Sequence, residues 1–168
     1  KKSMKYLRPL FDISQAERCT LNPFPDFSSI PNGKIKDYQY QGINWLWFLY
    51  NYGLNGILAD DMGLGKTFQC LSIISNSHHI EKSGAISIVI CPSSVIHHWD
   101  TEIQKFYPQI PTHPIVMKSE LNANQFMTMN GIIIISYQNI ISLFSILTKR
   151  KFTYCVLDEG HIIKNKNT

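Results

Sequence analysis

The chain has 168 residues, 44% of them hydrophobic and 17% charged, and carries a formal net charge of +4. That length and apolar content suffice for one domain with its own core and argue against disorder throughout. The longest aliphatic run, Ile132 to Ile135, is far too short for a membrane span, and the basic charge is compatible with a polyanion partner without demanding one.

No secretory signal pattern stands at the N-terminus, so the chain reads as intracellular with no membrane partner. The cysteines Cys19, Cys70, Cys91 and Cys155 are scattered singly, without the spacing of a zinc site or a disulfide framework. Cys91 and Cys155, in apolar runs, are expected to be buried small hydrophobes.

Residues 1–35 show no sustained period. Asn22-Pro23-Phe24-Pro25-Asp26 and Pro31-Asn32-Gly33 are turn and breaker chemistry, so this stretch is expected to be a lead-in linker that docks Phe24 and Phe27 on a domain formed by residues 36–168. Ile43, Leu46, Trp47 and Tyr50 recur at i, i+3, i+4 and i+7, with Trp45 and Leu49 thickening the stripe, which predicts a largely buried helix from Tyr38 to Tyr52. Gly56 to Ala59 reads as a short strand, and Lys66 to about Ser77 as a helix with Cys70, Ile73 and Ile74 inward.

Ile86 to Cys91 is a second strand stopped by Pro92. Ser93 or Ser94 is then placed to cap a helix on which Ile96, Trp99, Ile103 and Phe106 keep helical spacing. Trp99 falls on that apolar stripe and is read as core. Ile115 to Lys118 is expected to be a short strand, Ile132 to Ser136 a fully buried one, Gln138 to Leu147 a helix, and Tyr154 to Leu157 a last strand. Strands apolar on both faces and separated by helices predict an α/β fold, a parallel sheet flanked by helices. In such sheets ligands sit at the carboxyl ends of the strands.

The segment Asp60-Asp61-Met62-Gly63-Leu64-Gly65-Lys66-Thr67 lies between an expected strand and an expected helix, the setting of a phosphate-binding loop. Gly63 and Gly65 allow a tight curl that aims backbone N–H groups at phosphate oxygens, and the helix adds the positive end of its dipole. Lys66 would reach the β- and γ-phosphates, and the Thr67 hydroxyl would ligate magnesium. The generic pattern has glycine where this chain has Asp60. Downstream, Tyr154-Cys155-Val156-Leu157-Asp158-Glu159-Gly160-His161 is an apolar strand ending in two carboxylates. Asp158 would hold the hydrated magnesium, and Glu159 would orient and polarise the attacking water. The adjacent pairs His78-His79 and His97-His98 point in different directions on a helix, a poor geometry for a shared metal.

These motifs resemble the SNF-type ATPases of helicase superfamily 2. Asp37-Tyr38-Gln39-Tyr40-Gln41-Gly42-Ile43-Asn44-Trp45-Leu46 is similar to the family's adenine-contacting segment, and Gly56 through Thr67 to its first motif, Asp60 included. Cys91-Pro92-Ser93-Ser94 with Trp99 and Lys105-Phe106-Tyr107-Pro108, then Ile135-Ser136-Tyr137, then Asp158-Glu159-Gly160-His161 with Ile163-Lys164-Asn165, follow in the family's order. The resemblance covers Lys36 to Asn167.

It implies a RecA-like first ATP-binding lobe, with ATP and Mg2+ as cofactors, of a nuclear enzyme that translocates on double-stranded DNA. The moved protein would be a nucleosome or TATA-binding protein, and the residues around the acidic box look most like ATPases that strip TATA-binding protein from DNA. By the same resemblance Gln39 would read the adenine. Pro92, Ser93, Ser94, Ser136 and Tyr137 would touch the DNA backbone, and His161 would couple the nucleotide to a second lobe. Short hydroxyls and backbone N–H groups suit phosphate contacts that position without reading sequence. The remaining first-lobe strand and the second lobe with its arginine fingers lie beyond Thr168, so the chain alone is expected to bind nucleotide weakly and hydrolyse it little. Alternatives are a strand-separating helicase or repair translocase of the same superfamily, and a non-catalytic nucleotide- or DNA-binding module. The intact Lys66, Thr67, Asp158 and Glu159 weigh against the last.

Overall fold

The computed structural model describes residues 35–81 and 84–163. The expected linker, with Phe24, Phe27 and Cys19, and the motif residues Lys164 and Asn165 lie outside them. The chain divides into two compact units, Lys1–Asn76 and Ser77–Thr168.

In the first unit, helix α1 (Asp37–Asn51) is followed by the glycine-containing loop and helix α2 (Lys66–Glu81), whose last turns belong to the second unit. The apolar spacing of α1 predicts its extent well and its orientation less well. Ile43, Trp47, Phe48 and Leu49 are buried together with Asn44, whereas Leu46 is only half-buried and Tyr50 is exposed. Leu49 is buried as expected, Phe48 is buried in place of Leu46 and Tyr50, and Tyr50 instead stacks on Trp47 at 5.2 Å. On α2, Ile73 and Ile74 are buried as expected, and Cys70 is half-buried.

The expected strand Gly56–Ala59 does not form: the segment has no regular structure and Ile57 is 86% exposed. A strand is stabilised by its ladder, and no described strand hydrogen-bonds to these four residues.

The second unit is built on a four-stranded, wholly parallel sheet in the order β2-β3-β1-β4. Its strands are β1 (Ile86–Cys91), β2 (Thr112–Ile115), β3 (Gly131–Ser136) and β4 (Cys155–Leu157). Helix α3 (Ile96–Phe106) joins β1 to β2, α4 (Ala123–Thr128) joins β2 to β3, and α5 (Tyr137–Leu147) joins β3 to β4. Every residue of β1 and β3 is buried, as β-branched runs covered on both faces require.

Ile86, Ile88, Ile90, Ile133 and Ile135 pack with Phe126, Leu143 and Leu147 in one apolar cluster. Strand alternation sends the equally buried Val89, Cys91, Ile132 and Ile134 to the other face, and α3 lies against β2 and β3. The four stripe residues of α3, Ile96, Trp99, Ile103 and Phe106, are all buried.

Three local expectations are corrected in this unit. The strand expected at Ile115–Lys118 runs instead over Thr112–Ile115, in register with Ile132–Ile135 of β3. Pro114 is tolerated because, among the described strands, β2 is an edge strand with one side without a strand partner. Neither Ser93 nor Ser94 caps α3. Both are exposed in a 3-10 turn, Ser93–Val95, closed by the backbone bond from Val95 N–H to Pro92 O at 3.1 Å. Cys155, expected to be buried, is exposed, on the strand that forms the other edge among the described strands. Helix α4 has no counterpart among the expected elements, although Asn122 marks its start: its side chain accepts from Gln125 N–H at 2.9 Å.

Candidate functional site

In the first unit, the phosphate-loop residues are held by a short set of side chains. Gly63 and Gly65 have φ of +82° and +78°, a left-handed backbone that costs other residues about 1–2 kcal/mol. Beyond Gly63 the space on the protein side is open, while a Cβ on Gly65 would meet Gln39 Nε2 at 2.5 Å.

Gln39 is braced at both ends. Its Oε1 accepts from the Lys36 N–H at 3.2 Å, and its Nε2 donates to Leu64 O at 3.3 Å. Asp60, the departure from the generic pattern, accepts at Oδ2 from the Gln69 carboxamide at 3.1 Å. Gln69 is fully buried, and a side chain on Gly42 would run into it. Gly42, in the Asp37–Leu46 segment, therefore makes room for the residue that holds the loop. Gln69 carried no signal in the sequence beyond its place on the first turn of α2.

Lys66 Nζ donates to the carbonyls of Asp60 and Asp61 at 2.8 and 2.9 Å, so the ammonium is held over the loop. Asp61 and Met62 are exposed; Leu64 and Thr67 are half-buried. A curled backbone with a lysine over it fits a polyphosphate, whose oxygens would take the place of the two carbonyls.

In the second unit the sheet register assembles three motifs along one carboxyl edge. Cys91 pairs with Ser136, and Ile90 with Leu157, so Cys91-Pro92, Ser136-Tyr137 and Asp158-Glu159 leave adjacent strands side by side. Asp158 is fixed by four hydrogen bonds: its N–H to Ile90 O at 2.9 Å, its O from the Tyr137 hydroxyl at 2.8 Å, its Oδ2 from the Trp99 indole N–H at 2.8 Å, and its Oδ1 from the Glu159 N–H at 3.0 Å. Trp99 is core, as the stripe predicts, and also a donor. A buried indole N–H needs a partner, and that requirement was the one available signal.

Burial, reinforced by the charge of Asp158, pushes the Cys91 thiol up to about 11. The same two causes, burial first, raise the Tyr137 phenol. Ser136 is buried, and its hydroxyl accepts from Asn139 N–H at 3.2 Å, capping α5. Glu159 is exposed, adopts φ of +54°, and its Oε2 lies 3.1 Å from His161 Nδ1.

The Thr67 hydroxyl and the Asp158 carboxylate, each taken by itself, are hard oxygens of the kind magnesium takes. No group of three or more His, Cys, Asp or Glu side chains forms a cage among the described residues. Magnesium is commonly bound by one or two protein oxygens, with phosphates and water supplying the rest.

A glycine-curled loop before a helix, and a parallel sheet whose edge ends in a fixed aspartate, are the parts of a RecA-like P-loop nucleotide-binding lobe. The SNF2-related domain family matches residues 38–168. The chain belongs to this family, as the N-terminal lobe of a SNF2-type ATPase. It is 37% identical over 153 residues to TATA-binding protein-associated factor MOT1 of Saccharomyces cerevisiae, covering 80% of this chain and 8% of that protein.

It is 34% identical to human TATA-binding protein-associated factor 172 over 188 residues, 99% of this chain and 10% of that one. Among solved structures, the Sulfolobus solfataricus SWI2/SNF2 ATPase core in complex with double-stranded DNA superposes with a TM-score of 0.70 at 32% identity. The match covers 80% of this chain and 28% of that one. The chain thus spans about a tenth or less of the length of these two curated relatives.

Proposed function

We propose that the protein is an ATP-driven translocase on double-stranded DNA that displaces a DNA-bound protein, with TATA-binding protein favoured over the nucleosome as the one moved. The observation that carries this reading is the sheet edge on which two backbone-contact motifs and the acidic box leave adjacent strands. Family membership supports it, as do the two TATA-binding protein-associated relatives and the solved relative that holds duplex DNA.

In this reading Gln39 reads the adenine, and the N–H groups from Asp60 to Gly65 with Lys66 hold the phosphates. Thr67 and Asp158 hold a magnesium ion, which supplies charge neutralisation on the phosphates. Glu159 orients the attacking water and takes its proton. Exposed Ser93 and Ser94, with Pro92, and the backbone at Ser136-Tyr137 meet DNA phosphates, contacts that position the duplex without reading sequence. His161, two residues past Glu159 and within bonding distance of it, couples that carboxylate to a second lobe. The workplace is the nucleus.

The test is the ATPase rate of the full-length protein with no DNA, duplex DNA, single-stranded DNA, nucleosomes, and TATA-binding protein on its promoter. Stimulation by duplex, with release of TATA-binding protein, is the expected result. Stimulation only by single strands, with separation of a forked substrate, would replace translocation by strand separation. No response to any DNA would remove the DNA reading and leave the nucleotide site standing.

A further inference from the structure

Two candidate DNA-contact turns and the metal-holding aspartate are joined by side chains of their own helices. The Ser93–Val95 turn runs directly into α3, and Trp99, four residues past Val95, donates its indole N–H to Asp158 Oδ2 at 2.8 Å. The Ser136-Tyr137 turn opens α5, and Tyr137 donates its hydroxyl to Asp158 O at 2.8 Å. Trp99 is 3% exposed, so its bond is shielded from water and directional. Nothing about helix stability requires a tryptophan rather than a phenylalanine at that position. The N–H is what distinguishes them.

We propose that Trp99 and Tyr137 are positioning residues that fix Asp158, Trp99 at its carboxylate and Tyr137 at its backbone carbonyl, and transmit engagement of the DNA backbone at the 92–94 and 136–137 turns to the acidic box. The inference rests on the nucleotide and DNA reading given above. A shift of α3 or α5 under a bound duplex moves a donor on Asp158 directly, without a relay through the sheet. Outer partners that orient a metal-holding carboxylate typically change metal affinity or activity by about 10–100-fold when removed.

The experiment uses the full-length protein with Trp99→Phe, with Trp99 replaced by β-(3-benzothienyl)alanine, and with Tyr137→Phe. The benzothienyl side chain keeps the outline of the indole and lacks the N–H, so a packing role is preserved and the bond is not. Three quantities are read: affinity for a fluorescent ADP without Mg2+, the Mg2+ concentration that half-saturates the tightening of that binding, and the fold stimulation of ATPase by duplex DNA.

The expected result for both Trp99 variants is unchanged affinity without Mg2+, a Mg2+ requirement raised by about tenfold or more, and reduced DNA stimulation. Tyr137→Phe is expected to lower DNA stimulation in the same direction. A benzothienyl variant with the wild-type Mg2+ requirement would show that Trp99 only packs, and would overturn the positioning role. A raised Mg2+ requirement with full DNA stimulation in all three variants would overturn the transmission. If the unaltered protein ignores DNA, the proposed function fails, while the Mg2+ measurement still decides whether the indole positions Asp158.

Discussion

The glycine pair in the phosphate loop allows a quantitative test, because the two positions share a backbone conformation and differ in surroundings. Gly63 and Gly65 have φ of +82° and +78°, so alanine at either is strained by about 1–2 kcal/mol whenever the loop takes this shape. At Gly63 nothing lies within 4 Å of an added Cβ, whereas at Gly65 it meets Gln39 Nε2 at 2.5 Å. Gln39 must then swing off Leu64 O, losing a hydrogen bond worth a net ~0.5–1.5 kcal/mol. To the extent that nucleotide binding requires this loop shape and the substituted loop leaves it when empty, the cost appears in affinity at tenfold per ~1.4 kcal/mol.

Gly63→Ala should therefore weaken nucleotide binding by about 5–30-fold, and Gly65→Ala by a further ~2–10-fold. Titration with a fluorescent nucleotide measures both. A double-mutant cycle isolates the clash, since Gly65→Ala should cost less when Gln39 is already alanine. Equal costs at the two glycines, or an additive cycle, would refute the placement of Gln39 over the loop.

Three further outcomes follow from the same geometry. Lys66→Ala should abolish nucleotide binding, and Glu159→Gln should leave binding intact and stop hydrolysis; normal turnover in either removes the assigned role. Arg150 donates to the carbonyls of Phe126, Met129 and Gly84 at 2.8, 2.6 and 3.0 Å, closing the end of α4. Arg150→Lys cannot span all three, so it should destabilise this corner by about 1–3 kcal/mol, read as faster amide exchange over residues 123–129; unchanged exchange would dismiss the tie. Cys91 is fully buried and its thiol is pushed up to about 11, so at pH 8 its thiolate fraction is ~10⁻³ and native alkylation should be slower there than at Cys155, which is exposed although desolvation raises its thiol too. The folded thiol keeps its proton up to about 11 and the unfolded one releases it near 9.0, so the Cys91 contribution to stability is lost as pH rises through that window.

What was legible in the sequence was what depends on local pattern. The α3 stripe and the isoleucine runs of β1 and β3 state their own burial, and Gly63 and Gly65 announce the left-handed turns they make. What failed depends on partners. Gly56–Ala59 has strand composition, but composition does not supply a ladder, and no described strand offers one. The register of β2 was set by β3 and by its place at the sheet edge, which excused Pro114. Trp99 and Asp158 lie 59 residues apart, and only the β1–β4 pairing brings the helix after one strand to the end of the other. A buried tryptophan announces that its N–H needs an acceptor without saying which.

The acidic box also stores strain, and the strain bears on what Glu159 is for. It is the one non-glycine residue with positive φ among the described residues, at +54°. The four hydrogen bonds on Asp158 fix the residue before it, so the chain has to turn at Glu159. A glycine would make that turn more cheaply: relief of about 1–2 kcal/mol less the ~0.4–1 kcal/mol that glycine adds to the freedom of the unfolded chain. The Glu159–His161 pair is more than half exposed on both sides and, like other exposed pairs, holds little in compensation. Glu159→Gly should therefore leave the second unit as stable as before or slightly more so, while hydrolysis is lost. A local opening of residues 155–163 in that variant, seen as faster amide exchange, would mean that the glutamate stabilises the turn. Unchanged or slower exchange with hydrolysis gone would mean that the strain is tolerated to keep a carboxylate at this position.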